Sequence, residues 1–438
     1  MQQIFSYATL DEWIASAAMP FSLDAPATLN AAVDQMVAAI GDSVELLGFG
    51  EALHGGEGLL LLRNQLFERL VTTHGYSAIA VESSFPKGCI VNEYIAGPSG
   101  RTGPATYVEL QDTGFSHGFG QLAANRELVE WMRQYNADPA HPTKLHFYGC
   151  DSPTEMTGTD SPHQLLHVAL DYLAALDPHS VQPRRQRIDT LLGAEAAWAN
   201  PDAMMDPTQS IGLSAEASAL RIETEDLITH LQIHRPALIA KSDRDRYLDA
   251  LQHALAARQL LTYHAALARQ SDERTADLLA IRDVMMADTL AHIVARERDR
   301  GKVLAFTHNQ HLKRGQVQWQ WGPNLIVWWP AGAHLAHMLE ARYAVIGSAV
   351  GISAANGIAQ PEVGTLEARL IAAPGTARFI PTGNGEGLPT AEIAALPPRA
   401  GSLKNQTYFP LTRQSFTDFD WLAVLNETTY TRGGPPLP

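Results

Sequence analysis

The sequence predicts an α/β protein with a mostly parallel central sheet flanked by helices, and with a large helical insertion that forms one side of a deep cleft. Three observations predict this architecture. Short apolar runs rich in Val, Ile, Leu and aromatic residues are typical of strands buried on both faces. Helical segments separate most of these runs, as parallel strands require. From about residue 161 to residue 301, strand-like runs are nearly absent, and Ala- and Leu-rich, charge-laced stretches replace them.

The chain length sets the predicted domain organisation. The protein has 438 residues, of which 45% are hydrophobic, and it exceeds the usual domain length of about 100–200 residues. We predict that residues 1–160 form the first part of an α/β core and that residues 161–300 form the helical insertion. Residues 301–438 are predicted to form the second part of the core, with cleft loops and a C-terminal strand.

Four of the predicted strands end in chemically reactive residues. In open parallel sheets, ligands bind beyond the carboxyl ends of the strands, so we expect these residues to meet, together with His54, at one edge. The predicted strands are VELLGFGE ending at Glu51, YSAIAVES reaching Glu82, KLHFYGCD ending at Asp151, KVLAFTHNQH reaching His308 and His311, and then NLIVWW and FDWLAVLNET.

The segments between the strands have helix and loop signals. Residues 58–75 place leucines at helical spacing and end at Gly75, a suitable C-terminal glycine. Residues 125–136 show the same helical spacing. The stretch Gly347 to Gly401 is rich in Gly, Pro, Ala and Thr, which predicts loops.

Charge and composition indicate a small-molecule substrate. A net charge of -15 argues against a nucleic-acid or anionic membrane partner, since both need a basic surface. The longest run without charged residues, Gly315 to Leu339, contains three glutamines, one asparagine, two histidines and two prolines, so no membrane span is predicted. The N-terminal segment has Asp11 and Glu12 where a signal peptide would be apolar. We therefore expect a cytoplasmic protein.

The segment GFGEALHGGEG, residues 48–58, is the strongest chemical signal in the chain. The serine elbow G-x-S-x-G is absent, which disfavours a serine triad. The spacing Glu51-x-x-His54 differs from the H-E-x-x-H of zinc hydrolases. His308 and His311 could join Glu51, His54 and Glu82 in a mixed carboxylate and imidazole site. We predict no cofactor, while a catalytic divalent metal ion stays open as an alternative.

Metal-free acid–base hydrolysis fits the same residues. A histidine can take a proton from water while a carboxylate fixes its tautomer and stabilises the imidazolium. His54 with Glu51 or Glu82 would provide this pair. Arg63 would either stabilise an oxyanion or keep a carboxylate charged.

Other polar residues have both a functional and a structural interpretation. Asp151 would bind substrate or cap the turn after its strand. His117 would bind substrate or simply pack as an ordinary imidazole. Glu57 would complement a helix dipole. His311 and Arg126 complete the candidate substrate-binding residues.

Seven segments in the same order together resemble the erythromycin esterase family, which includes macrolide-lactone hydrolases and succinoglycan-biosynthesis-like relatives. The resemblance runs from about residue 40 to residue 430. The segments are GFGEALHGGEG with Arg63 in the next helix, AIAVES, NRELVEWMRQYN, FYGCDSP, IRDVMMADTL, VLAFTHNQHLKRG and DFDWLAVLNETT.

The resemblance implies an α/β core with a helical portion around a deep cleft, and hydrolysis of a macrolide lactone by water without a covalent intermediate. By position, His54 matches the general base, Glu51 and Glu82 match the carboxylates, and His308 with Arg63 matches other polar site residues. His311 matches the second histidine of an H-N-x-H pattern. Two alternatives are a metal-dependent hydrolase of another ester or amide, and a non-catalytic relative that binds a small molecule or carbohydrate.

Overall fold

The structure, a computed structural model, describes residues 6–97, 104–155 and 158–435. The first five residues of the N-terminal segment interpreted above lie outside the described residues. The strands are β1 Met19–Phe21, β2 Leu46–Glu51, β3 Tyr76–Ser84, β4 His146–Asp151, β5 Thr154–Glu155, β6 Gly158–Thr159, β7 Lys302–His308, β8 Val317–Trp321, β9 Asn324–Trp328, β10 Tyr343–Ile352, β11 Ala377–Pro381 and β12 Trp421–Glu427.

Eight of these strands form one central sheet in the order β1-β11-β12-β10-β2-β7-β3-β4. The six strands from β12 to β4 are all parallel to one another. Strand β11 runs antiparallel to β12, and β1 runs antiparallel to β11. The predicted α/β class with a mostly parallel sheet is therefore confirmed.

Helices cover the sheet and fill the long connection between β4 and β7. None of the helices in the described ranges is long and apolar enough to cross a membrane. The helices are α1 Leu10–Ala17, α2 Pro26–Ile40, α3 Glu57–His74, α4 Phe85–Ala96, α5 Tyr107–Leu110, α6 Ala123–Ala137, α7 His163–Leu176, α8 Pro178–Leu192, α9 Glu195–Trp198, α10 Ala215–Ile233, α11 Arg235–Lys241, α12 Arg244–Leu267, α13 Arg274–Glu297, α14 Asn309–Leu312, α15 Ala331–Leu339, α16 Leu366–Ala372, α17 Thr390–Ala395 and α18 Ser415–Asp418.

Helices α7 to α13 occupy the region predicted as a helical insertion. Apolar side chains from these helices, such as Leu166, Leu227 and Leu260, form a buried cluster of their own. Helix α13 also packs on the sheet, where Met286 and Leu290 join a second cluster with alanines of β3 and β7. Helix α13 thus connects the helical region to the carboxyl edge of the sheet. The domain boundaries themselves stay a prediction.

Two sequence-based element assignments were wrong. NLIVWW does not join the central sheet, because it pairs locally with β8 in a two-stranded hairpin that turns at Gly322, whose φ is 57°. The stretch Gly347 to Gly401 was predicted as loops, but it contains most of the buried strand β10 as well as α16 and β11. Gly347 serves close packing in β10, since a Cβ there would lie 2.6 Å from the Phe419 ring. Glycine in this strand marks a close contact rather than a turn.

Candidate active site

The sheet order places four chemically reactive strand ends side by side. Strands β2, β7, β3 and β4 are consecutive neighbours, and Glu51 lies directly opposite His308 in the register. Glu82 and Asp151 lie at the same edge, near the carboxyl ends of β3 and β4. The predicted meeting of these residues at one edge is what the topology produces.

Glu51 and His54 form a hydrogen-bonded pair beyond the end of β2. The distance between His54 Nδ1 and Glu51 Oε1 is 2.6 Å, and the His54 side chain is 29% exposed while that of Glu51 is 5% exposed. A carboxylate accepts a hydrogen bond, so Nδ1 carries the proton and Nε2 has its lone pair available. His54 Nε2 lies 4.0 Å from Glu82 Oε1, which leaves space between these two atoms.

The two carboxylates control the protonation of His54. Burial by itself would lower the pKa of His54, but the charges of Glu51 and Glu82 outweigh burial and raise this pKa above its ordinary value. The imidazolium form of His54 is therefore stabilised at the site.

The glycine-rich loop and a distant loop fix the backbone of His54. Gly55 has a φ of 83°, and a Cβ at this position would lie 2.7 Å from the Tyr430 ring, so only glycine fits. The backbone N–H of His54 donates to Thr407 Oγ1 at 3.0 Å, and Asn405 Nδ2 donates to the His54 carbonyl at 2.9 Å. These two contacts hold the turn between β2 and α3 in place.

Glu82 contacts three groups of the site through its two carboxylate oxygens. Its Oε2 accepts the backbone N–H of His308 at 2.7 Å, and its Oε1 accepts Arg282 Nη2 at 3.3 Å. His311 Nε2 lies 3.4 Å from the same Oε1. Burial by itself would raise the pKa of Glu82, but His311, His54 and Arg282 hold it well below its usual range. Glu82 therefore stays ionised.

His311 is a buried cation between two carboxylates. Its Nδ1 lies 2.8 Å from Asp283 Oδ1, and Asp283 also accepts hydrogen bonds from Trp328 Nε1 at 2.6 Å and from the Ala331 N–H at 3.0 Å. Although burial by itself would lower the pKa of His311, the charges of Asp283 and Glu82 raise it to about 10. His311 is therefore protonated at neutral pH and supplies a fixed positive charge.

Asp151 forms a bidentate ion pair with Arg282. Arg282 Nε and Nη2 donate to the two Asp151 carboxylate oxygens at 3.0 and 2.6 Å. Asp151 also accepts the N–H of Ser152 at 2.7 Å, as its turn-capping interpretation requires, and His117 Nε2 lies 3.3 Å from its Oδ2. Burial opposes ionisation of Asp151, yet Arg282 and His117 lower its pKa. Asp151 thus anchors Arg282 beside Glu82.

His308 has both ring nitrogens engaged in hydrogen bonds. Nε2 lies 2.7 Å from the Thr407 carbonyl, so it carries the proton, and Nδ1 accepts the N–H of Gln310 at 3.2 Å. Burial, reinforced by the nearby charge of His54, lowers the pKa of His308 to about 3. Neutral His308 packs against the His54 ring, with 5.1 Å between the ring centroids. This arrangement suits positioning of His54.

Arg63 lies behind the pair rather than at its exposed side. Its guanidinium donates to Asn125 Oδ1 at 2.7 Å and to Asn64 Oδ1 at 2.7 and 3.0 Å. Arg63, Glu51 and Glu82 line a cavity of about 20 Å³, room for roughly one water molecule. Glu51 Oε2 is buried and has no hydrogen-bond partner among the described residues. Burial lowers the pKa of Arg63 to about 10, so it stays cationic. The shared cavity and the favourable charge interaction with Glu51 support the interpretation of Arg63 as a charge partner of Glu51.

Two polar residues lie apart from this cluster. The Arg126 side chain is exposed on α6 and lies over the Tyr107 ring at 5.8 Å, so the structure does not bring it to the other candidate residues. Glu57 at the start of α3 accepts a hydrogen bond from Arg432 Nε at 2.6 Å. Glu57 therefore fits a structural role at the helix N-terminus.

Sequence reasoning missed four residues of the site. They are Arg282 and Asp283 on α13, and Asn405 and Thr407 in the loop between α17 and α18. Arg282 and Asp283 stand in the segment IRDVMMADTL, where two adjacent charges lie between apolar residues, and these adjacent charges were the available signal. Within the described residues, no three or more His, Cys, Asp or Glu side chains are grouped so that they could hold a metal ion.

Comparisons with known proteins identify the family. The sequence model of the family described as erythromycin esterase matches residues 71–424. This match includes Glu82, Arg282 and His311, while Glu51 and His54 precede it. The Escherichia coli erythromycin esterases type II and type I are 22% and 20% identical to the chain over 314 and 318 residues. Each alignment covers 70% of this chain, and 70% and 71% of the respective relatives.

Solved structures share the fold over nearly the whole chain. A Bacillus cereus protein matches with a TM-score of 0.73 and 16% identity, and a succinoglycan biosynthesis protein matches with 0.71 and 20%. Both matches cover 97% of this chain and 98% of the other. The erythromycin esterase EreC, solved as a histidine-to-asparagine mutant in an open conformation, matches with 0.61 and 18% over 90% of this chain and 93% of its own. Because the family model spans most of the sequence and the fold agrees along the chain, the protein belongs to the erythromycin esterase family.

Proposed function

We propose that the protein is a carboxylic ester hydrolase that opens the lactone ring of a macrolide with a water molecule activated by His54. The geometry of His54 is the observation that supports this proposal most strongly. Its Nδ1 lies 2.6 Å from Glu51 Oε1, and its Nε2 lies 4.0 Å from Glu82 Oε1. The names of the Escherichia coli relatives support a macrolide ester as the substrate. The partly exposed edge of His54 supports access of a small molecule.

The reaction follows from the roles of these three residues. A water molecule between His54 Nε2 and Glu82 Oε1 donates one hydrogen to each of them. As its oxygen attacks the lactone carbonyl, Nε2 takes one proton, and Glu51 stabilises the imidazolium that forms. The ring C–O bond then breaks, and His54 returns the proton to the departing alkoxide. The product is an open-chain hydroxy acid, and no covalent bond to the protein forms.

The charge balance around His54 supports this cycle. Carboxylates outnumber the permanent cations near the ring, so the extra proton on His54 neutralises the cluster instead of adding to its charge. The carboxylates are Glu51, Glu82, Asp151 and Asp283, and the cations are Arg63, Arg282 and His311.

The pH dependence of hydrolysis tests this assignment. The base must be neutral to accept a proton, so kcat/KM should fall as pH decreases through a His54 pKa that lies above 6.5. In Glu51→Gln the charge that raises this pKa is lost. The acidic limb should therefore move to lower pH while the maximal rate decreases, as measured in a pH series of initial rates. If the acidic limb of Glu51→Gln stayed at the pH of the parent, Glu51 would not control the pKa of the general base.

Metal removal distinguishes this mechanism from metal-dependent hydrolysis with the same residues. After exhaustive dialysis against a chelator, the protein should retain its rate of ester cleavage. Loss of activity that returns on addition of a divalent cation would instead establish the metal-dependent reaction. A parent protein that binds macrolides but never cleaves them would establish a binding protein.

A further inference from the structure

The hairpin β8–β9 presents an aromatic surface that the proposed reaction does not use. Trp319 and Trp321 are 37% and 44% exposed, and their rings stack with 5.9 Å between centroids and 10° between planes. The hairpin lies within the run Gly315 to Leu339, which has no charged residue. Two partly exposed, stacked indoles on an uncharged hairpin form an apolar platform.

The base of the hairpin is attached to the candidate active site. Trp328 donates from Nε1 to Asp283 at 2.6 Å, and Asp283 in turn contacts His311. Further along the hairpin, Ile326 belongs to a small apolar cluster that packs against Leu279 of α13. The hairpin therefore follows α13 away from Asp283, toward the N-terminal end of that helix.

The direction of α13 places the hairpin beyond the carboxyl edge of the sheet. Arg282 contacts Glu82 at that edge, whereas Glu297, at the other end of α13, accepts a hydrogen bond from Ser77 near the start of β3. Helix residues before Arg282 thus extend past the edge, on the side where a ligand of His54 would lie. The hairpin extends in the same direction.

The strand register places the platform on one face of the hairpin. Val317 lies opposite Trp328, Trp319 opposite Ile326, and Trp321 opposite Asn324. Opposite residues point to the same face, so the two indoles share a face with Asn324 and with Val317, Ile326 and Trp328. The last three residues are buried against α13, and the indoles continue this face beyond them as its partly exposed end. At about 3.4 Å per residue, Trp319 and Trp321 lie roughly 7 and 14 Å along the hairpin from the level of Trp328.

The chemistry of this face fits a sugar ring. The C–H face of a pyranose is flat and apolar and packs on an indole ring, while its hydroxyl groups need neutral hydrogen-bond partners such as the Asn324 amide. An anionic lipid surface fits less well, because the run has no Lys or Arg and the protein has a net charge of -15.

We propose that the Trp319–Trp321 face is a subsite that binds a sugar substituent of the lactone cleaved at His54. This inference rests on the proposed function, because its ligand is a sugar carried by the lactone that His54 would open. The spacing along the hairpin requires a substrate large enough to place its sugar roughly 7–14 Å beyond the level of Asp283.

Binding measurements separate this subsite from catalysis. In a His54→Asn background, calorimetry would compare a glycosylated macrolide with its aglycone. Trp319→Ala and Trp321→Ala should each raise the Kd of the glycoside by about three- to tenfold and change the Kd of the aglycone by less than about twofold. Leu325→Ala is the matched control, because Leu325 is 57% exposed on the other face of the hairpin and should change neither Kd. Trp321→Gln provides a second variant if Trp321→Ala does not fold.

Equal weakening of glycoside and aglycone, or no weakening of either, would overturn the subsite. Loss of binding to phosphatidylcholine vesicles in the Trp variants, with glycoside affinity unchanged, would also overturn it and indicate a membrane contact. Turnover is not needed for this experiment. If the parent protein bound the glycoside more tightly than the aglycone through Trp321 but hydrolysed neither, the proposed reaction would be wrong and the subsite would remain supported.

Discussion

Replacing His54 with asparagine is expected to lower kcat/KM for lactone hydrolysis by about 10²–10⁴-fold, the usual contribution of a general base. Asparagine can still donate a hydrogen bond to Glu51, but it has no nitrogen that accepts a proton. The Kd for substrate should change little, because the ring that is lost contributes proton transfer rather than most of the contact area. Steady-state kinetics on the variant and calorimetry on the same preparation would measure both quantities.

The matched control for this variant is His167→Asn. His167 also pairs with a carboxylate, Asp189, at 2.8 Å, but it lies on α7 with a side chain that is 38% exposed. This control should keep the parental kcat/KM. If His54→Asn also kept the parental kcat/KM, another group would have to activate the water, and the His54–Glu51 pair would have only a structural role.

Replacing Arg282 with methionine is expected to lower the free energy of unfolding by about 3–5 kcal/mol, as for other broken buried ion pairs. The Arg282 side chain is 14% exposed, and its partners Asp151 and Glu82 are 0% and 5% exposed. Methionine fills much of the space but leaves two buried carboxylates without their shared cation. Urea denaturation at pH 7 would measure the loss.

The pH dependence of this loss provides a further check. The depressed pKa values of Asp151 and Glu82 stabilise the parent above the unfolded pKa values of 3.8 and 4.5, and this stabilisation disappears as pH falls through the folded values. The difference between parent and Arg282→Met should therefore shrink as pH falls below about 4. Arg187→Met, which removes an exposed partner of Glu223, should change the stability little. An equal loss in both variants would mean that burial of the Arg282 pair is not what stabilises the fold.

The sequence contained enough to predict the edge of the sheet where the site lies. Glu51, Glu82, Asp151 and His308 each follow directly on a short apolar run, so a parallel sheet places them at one edge. The strand order β2-β7-β3-β4, which the sequence does not show, places them side by side. The pairing of His54 with Glu51 is also local, since the two residues are three apart.

Sequence patterns did not predict the contacts between distant segments of the chain. Arg282 and Asp283 lie on a helix whose rotation about its axis depends on tertiary packing, and the choice of Glu82 and His311 as partners follows from that packing. The loop with Asn405 and Thr407 has a common loop composition and no periodicity. Arg126, in the segment NRELVEWMRQYN, was a candidate substrate-binding residue, although the structure places its side chain on an exposed helix face over Tyr107.

Strand β10 was missed for a different physical reason. Its glycines, Gly347 and Gly351, were interpreted as loop residues, but a Cβ at Gly351 would lie 2.4 Å from the Asn426 carbonyl oxygen. The same residue type permits a tight turn at Gly55 and a close strand contact at Gly351, and composition does not distinguish the two uses.

Mass spectrometry of a panel of macrolides and simple lactones, incubated with the parent protein and with His54→Asn, tests the central claim most directly. The account predicts that a macrolide incubated with the parent gains the mass of one water molecule, and that the same compound incubated with His54→Asn is unchanged. A panel in which no compound gains water, or in which the variant converts the macrolide as fast as the parent, would contradict it.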